Sequence, residues 1–124
     1  MPAYTANPSA TYRQQSVLTA TPGQLVVMLY DGALRFLLQA STAQRGGDHL
    51  LCDAKLRRAE AIVDELHSSL DKEQGGEIAS RLEGIYVFCK RHLMEARIER
   101  DPAMIEKVSE LLAELREAWV EIAQ

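Results

Sequence analysis

The stretch that most constrains this chain begins at Thr21-Pro22-Gly23-Gln24 and runs into a long apolar segment. A threonine hydroxyl can accept from the first-turn amides of a helix, and proline is tolerated at the first helical position because its missing N–H would go unpaired there anyway. A glutamine three residues after the threonine can reach back to the cap. A helix therefore starts at Thr21-Pro22. From Leu25 to Ala40, twelve of sixteen residues are apolar, the exceptions being Asp31, Gly32, Arg35 and Gln39. A bundle helix with one buried face needs roughly three apolar positions in seven. This helix has more apolar surface than one core can use. Either it is surrounded by other helices, or it carries a second apolar face for something outside this chain.

The rest of the sequence supplies partners for one core. With 124 residues, 47% apolar and 26% charged, the chain is an ordinary single domain that can bury its own core without staples. We read residues 1–20 as an extended arm and 21–124 as one helical domain. No run alternates apolar and polar residues long enough to suggest a strand, so the fold class is all-α. The arm contains Pro2, Pro8 and many Ser, Thr and Ala, with Tyr4, Tyr12, Val17 and Leu18 as apolar anchors able to lie on a groove.

Gly46-Gly47 ends the first helix, and Asp48 caps a second. Its seam is Cys52, Leu56, Ala59, Val63, Leu66 and Leu70, a heptad pattern. Asp71 to Gly76 reads as a polar turn, with Glu77 opening a third helix. That helix has the seam Ile78, Leu82, Ile85, Cys89, His92 or Leu93, and Ala96, and its apolar run from Ile85 to Cys89 repeats the surplus of the first. Arg97 and Arg100 suit a helix C-terminus, and Asp101-Pro102 starts a fourth helix with the seam Ile105, Val108, Leu112, Leu115, Trp119 and Ile122. Four helices joined by short turns most economically form an antiparallel four-helix bundle. Gly32 and Gly84 fall inside helices, which calls either for close helix packing or for room for a guest backbone.

Signals of chemistry are sparse. A net charge of −4 argues against a nucleic-acid binder. Cys52 and Cys89 fall on different apolar seams, as expected of buried free thiols in a reducing compartment. The N-terminus lacks the pattern of a signal peptide, and the most apolar window, Leu25 to Leu38, is short for a bilayer and broken by Asp31 and Arg35, so we expect a cytoplasmic protein without membrane insertion. No P-loop, G-x-G-x-x-G, H-E-x-x-H or G-x-S-x-G occurs. Asp64 and His67 give one half of a di-iron pattern, but the second half is missing and Val63, Leu66 and Leu70 own the seam. His49 and Cys52 are far short of a metal site. We expect no catalytic residue, no metal and no cofactor. Glu106, Glu110, Glu114, Glu117 and Glu121 stripe the fourth helix, as a solvated face or a dock for a basic partner.

Several segments are specific as written: Y-R-Q-Q-S-V-L-T-A-T-P-G-Q-L at Tyr12 to Leu25, M-L-Y-D-G-A at Met28 to Ala33 and L-D-K-E-Q-G-G-E-I-A at Leu70 to Ala79. They are joined by Y-V-F-C-K-R-H-L-M-E-A at Tyr86 to Ala96 and by Ala118-Trp119. In these the chain resembles the flagellin-specific flagellar export chaperones of the type III secretion system, over nearly its whole length from Tyr12 to Ile122. The resemblance implies a helical bundle in the bacterial cytosol that binds the disordered C-terminal segment of newly made flagellin. Short helical pieces of that cargo would lie in apolar grooves, which prevents premature polymerisation and keeps the subunit competent for export. It also implies contact with the cytoplasmic domain of the flagellar export gate, and an N-terminal arm that covers cargo surface when cargo is absent.

Carried onto this sequence, the resemblance implies partner contacts by Tyr12 and Val17 of the arm, by Leu25, Met28, Leu29, Tyr30 and Leu34 of the first helix, and by Tyr86, Arg91 and Leu93 of the third. His92 stands where the family leads one to expect arginine, and Arg97 and Arg100 where it leads one to expect asparagine. Helix-in-groove recognition of a disordered partner fits the surplus apolar surface found independently. A monomer or weak homodimer is expected. The alternative is a self-associating helical-bundle adaptor that binds another amphipathic helix.

Overall fold

A computed structural model describes residues 18–123, so the expectations for the arm at Tyr12 and Val17 lie outside the described residues. Within them each helix begins at a side chain that satisfies its first amides. Thr21 Oγ1 accepts from the Gln24 N–H at 3.2 Å and Gln24 Oε1 accepts from the Thr21 N–H at 3.0 Å, so α1 spans Pro22–Arg45 behind a capping box. Asp48 accepts from the Leu51 N–H at 3.1 Å and opens α2, His49–Ser68. Asp71 accepts from the Gln74 N–H at 3.0 Å and opens α3, Lys72–Glu99. Asp101 accepts from the Ala103 N–H at 2.9 Å ahead of α4, Pro102–Ala123. Such caps contribute about 1 kcal/mol each.

The helices form an all-α bundle in which α1 packs against α2 and α4, while α3 packs against the same two from the opposite side. Neighbours run antiparallel: Gly32 faces Ile62 near mid-helix, and Gln44 meets His49 at the turn. Tyr30, Leu37, Leu56, Val63, Leu66, Tyr86, Leu93, Ile105, Val108 and Leu112 fill the core. Cys52 and Cys89 are buried and free, as their seam positions predict. Burial pushes both thiols up, Cys89 to about 11. The α2 seam is as read from Cys52 through Leu56, Ala59 and Val63 to Leu66, all buried, whereas Leu70 lies past the end of the helix and packs half-buried against the core.

Three details differ from the sequence reading. The polar stretch at Asp71–Gly76 is not a turn: one helical turn forms on the Asp71 cap, and the break comes at Gly76, whose φ of 52° and ψ of −127° suit only a residue without a Cβ. The seam of α3 then runs through Ala79, Leu82, Tyr86, Cys89, Leu93 and Ala96, leaving Ile78 70% exposed. Tyr86 takes the core position ahead of Ile85 because its hydroxyl finds a buried partner. At the end of α4 it is Ala123 that faces α1, where a Cβ on Gly23 would lie 3.1 Å from its own, and Ile122 turns outward at 71% exposure.

Gly32 and Gly84 separate the two reasons for a helical glycine. Gly32 is buried, and a Cβ there would approach Ile62 Cδ1 to 3.1 Å, so it lets α1 and α2 close together. A Cβ added at Gly84 would meet nothing within 4 Å, so packing does not account for it.

Candidate partner-binding groove

The surplus of α1 is located at its N-terminal half. Leu25, Met28 and Leu29, with Pro22 and Val26, form an apolar wall completed by Glu65 of α2, by Ser69 just past its end, by Asp31 and by Arg35, around a groove of about 860 Å³. Met28 stands on the ridge of this groove. Its other side faces a smaller hollow of about 280 Å³ shared with Gln24, Val27 and, from α4, Val120 and Ala123. Val26 passes beneath to a third hollow of about 230 Å³ at the end of the bundle, walled by Leu66, Leu70, Ala79, Leu82, Tyr86 and Trp119 among others. Three apolar hollows thus surround two turns of one helix. A surface of this kind can hold side chains of an amphipathic segment at helical spacing.

The described residues singled out from the sequence do not form one group. Leu25 is 38% exposed, while Met28 and Leu29 are half-buried in the groove wall, so these three converge. Leu34 is half-buried and packs against the core. Tyr30, Tyr86 and Leu93 lie in the core at 0%, 1% and 0% exposure, and of the three only Tyr86 borders a hollow. Arg91 is exposed on α3, across the bundle from α1. Reasoning on sequence omitted Val26, Val27 and Val120. The signal for the first two is the apolar excess itself; for Val120 it is an apolar residue one step off the α4 seam.

Beneath the hollows, the Tyr30 and Tyr86 hydroxyls share a hydrogen bond of 2.6 Å across the diagonal of the bundle. Burial is the chief reason both phenols ionise above the usual tyrosine range. The pair is a polar bolt in an apolar layer and holds α1 against α3, which otherwise hardly meet.

The opposite seam, between α2 and α3, is ionic. Arg100 grips Asp53 at 2.8 and 3.1 Å, and Arg97 reaches Glu60 at 2.6 Å. Lys90 reaches Asp64 at 3.0 Å, and Glu83 meets both Lys72 at 2.7 Å and His67 at 2.9 Å. Hydrogen bonding from Arg100 holds the Asp53 carboxyl below the usual carboxylate range, and that from Lys72, then His67, does the same for Glu83. His67, the residue of the incomplete di-iron pattern, bridges Glu83 and Lys90. Arg97 and Arg100, two of the three departures noted from the resemblance, make ion pairs within the chain, and the third, His92, stacks on Phe88. Phe88 is 46% exposed and stacks on His92 at 5.1 Å, with Met94 and Ile98 also exposed on α3. On α4, Glu106 pairs with Arg45 at 2.6 Å, while Glu110, Glu114 and Glu121 are solvated.

No helix among the described residues is long and apolar enough to cross a membrane. The family described as flagellar protein FliS matches residues 5–124 of the chain. The chain is 38% identical to the flagellar secretion chaperone FliS of Salmonella typhimurium, with 97% of this chain and 93% of that protein covered. It is 34% identical to the protein of the same description from Bacillus subtilis, covering 95% and 87%, and 36% identical to that of Campylobacter jejuni, covering 90% and 87%.

Proposed function

Because this chain belongs to the FliS family of flagellar proteins, we propose that it serves flagellar secretion as a non-enzymatic chaperone whose cargo is the C-terminal segment of flagellin. The cargo segment folds as it binds, placing apolar side chains in the hollows around Leu25, Met28 and Leu29. Covering those side chains keeps the subunit from polymerising in the cytosol and leaves it extended enough for export. Tyr30, Tyr86 and Leu93 support the groove from below, and Arg91 marks a separate face of α3. The arm, with Tyr12 and Val17, covers the groove when cargo is absent, and delivery involves the cytoplasmic domain of the export gate. The observation that carries this reading is the 860 Å³ groove, walled by apolar side chains of α1 that the core leaves half-buried or exposed.

The exposed Phe88, Met94 and Ile98 of α3 favour a second reading, a weakly self-associating adaptor bundle. Calorimetric titration with a peptide of about forty residues from the C-terminus of the same bacterium's flagellin separates the two. Saturable one-to-one binding with a large negative heat-capacity change supports coupled folding into an apolar groove. Absence of binding, together with a dimer mass in light scattering, supports the adaptor.

A further inference from the structure

Beyond its apolar wall the groove ends in positive charge. The half-buried ring of Phe36, next to the last groove-lining residue of α1, has Arg35 Cζ 5.5 Å from its centroid, Lys55 Nζ 5.6 Å and Arg58 Cζ 5.9 Å. Among the described residues none of these three cations has a carboxylate partner. The cations of the α2–α3 seam, Lys90, Arg97 and Arg100, are all paired. Three like charges gathered on one ring, in a chain of net charge −4, are costly to hold together and gain when an anion joins them. A guanidinium over an aromatic face keeps its N–H donors for a carboxylate. Arg35 also lines the groove, so the charged cluster and the apolar wall form one continuous surface. The lining also carries two carboxylates, Glu65 and Asp31, of which Asp31 is already paired with Arg116.

We propose that Arg35, Lys55 and Arg58 form a cationic collar that receives carboxylate side chains of the bound segment. The occupant is an amphipathic peptide whose apolar residues fill the hollows at Leu25 and Met28 and whose acidic residues lie toward Phe36. The inference rests on the groove being the cargo site and adds direction and charge to it. Attraction of this kind fixes register and speeds encounter more than it adds affinity.

The test pairs two proteins with two peptides. The proteins are the natural chain and R35Q/K55Q/R58Q, with R35Q alone as the variant of an exposed position should the triple change disturb the helical signal. The peptides are the flagellin C-terminal peptide and the same peptide with every Asp and Glu replaced by Asn and Gln. The natural chain should prefer the acidic peptide by about tenfold at low salt, with the preference shrinking as salt rises. The triple variant should lose the preference while still binding, and R35Q should lose part of it. Equal affinity of the natural chain for both peptides overturns the collar and leaves the groove standing. A preference that survives in the triple variant also overturns it. Binding of neither peptide removes the groove and the collar together. Tighter binding of a single-stranded oligonucleotide than of either peptide overturns the choice of a protein segment as occupant.

Discussion

The α1–α2 seam and the α2–α3 seam share a helix, yet they are closed by different forces. Between α1 and α2, Gly32 admits Ile62 and the contact is apolar, and at its outer edge apolar side chains are left lining a groove. Between α2 and α3, polar and charged side chains bridge the edge from Asp53 to His67. An edge latched by its own ion pairs offers little to a partner, because displacing a paired charge leaves its mate unsatisfied. Bare apolar wall gains free energy when covered, at roughly 25 cal/mol per Å². The difference assigns the ionic seam to holding the bundle and the apolar one to recognition.

The largest effect tests the core that both seams share. Leu93→Ala should lower stability by about 2 to 5 kcal/mol in urea titration, as for other buried leucines, and weaken cargo binding only as far as it unfolds the protein. A cargo defect in a fully stable Leu93→Ala protein would mean that α3 opens to expose this residue. Next comes the tyrosine bolt. Tyr30→Phe strands the Tyr86 hydroxyl and should cost about 1 to 3 kcal/mol, whereas changing both tyrosines to Phe should cost less than the sum of the single changes. Additive costs in that double-mutant cycle would show that the hydroxyls act separately.

At the groove itself, Met28→Ala should weaken cargo binding by about 1 to 3 kcal/mol while the thermal midpoint hardly moves. A protein that melts instead would place Met28 in the core. The smallest effect belongs to the ionic seam. Asp53 and Glu83 titrate below the ordinary carboxylate range in the folded state, so their stabilisation is present above the unfolded value, about pH 4, and is lost as pH falls through the lower folded values. Stability measured from pH 7 to pH 3 should therefore fall at the acid end, and less steeply in Asp53→Asn/Glu83→Gln. An unchanged acid profile in that variant would remove these pairs from the account of the seam.

Much of this was legible in the residues because local chemistry and tertiary packing agree there. The cap at Thr21, the α2 seam and the apolar excess of α1 each follow from spacing alone. The start of α3 was not legible, since Ile78 or Ala79 and Ile85 or Tyr86 satisfy the same heptad. What decides between them is a hydroxyl 56 positions away on Tyr30. The division of α1 into core and groove was hidden for a related reason. Tyr30 and Met28 are both apolar members of one run, and only the placement of α2 and α4 determines which is covered. Cation clusters such as the one at Phe36 combine residues from two helices and leave no mark in either segment.

The central claim is that recognition belongs to the bare face of α1, and methyl-resolved NMR of the protein during titration with the flagellin peptide tests it directly. Shifts concentrated at Leu25, Met28, Leu29 and Val120, with the exposed Met94 and Ile98 unmoved, are the result expected. Shifts confined to Met94 and Ile98, with the α1 methyls unchanged, would contradict it and move the partner site to α3.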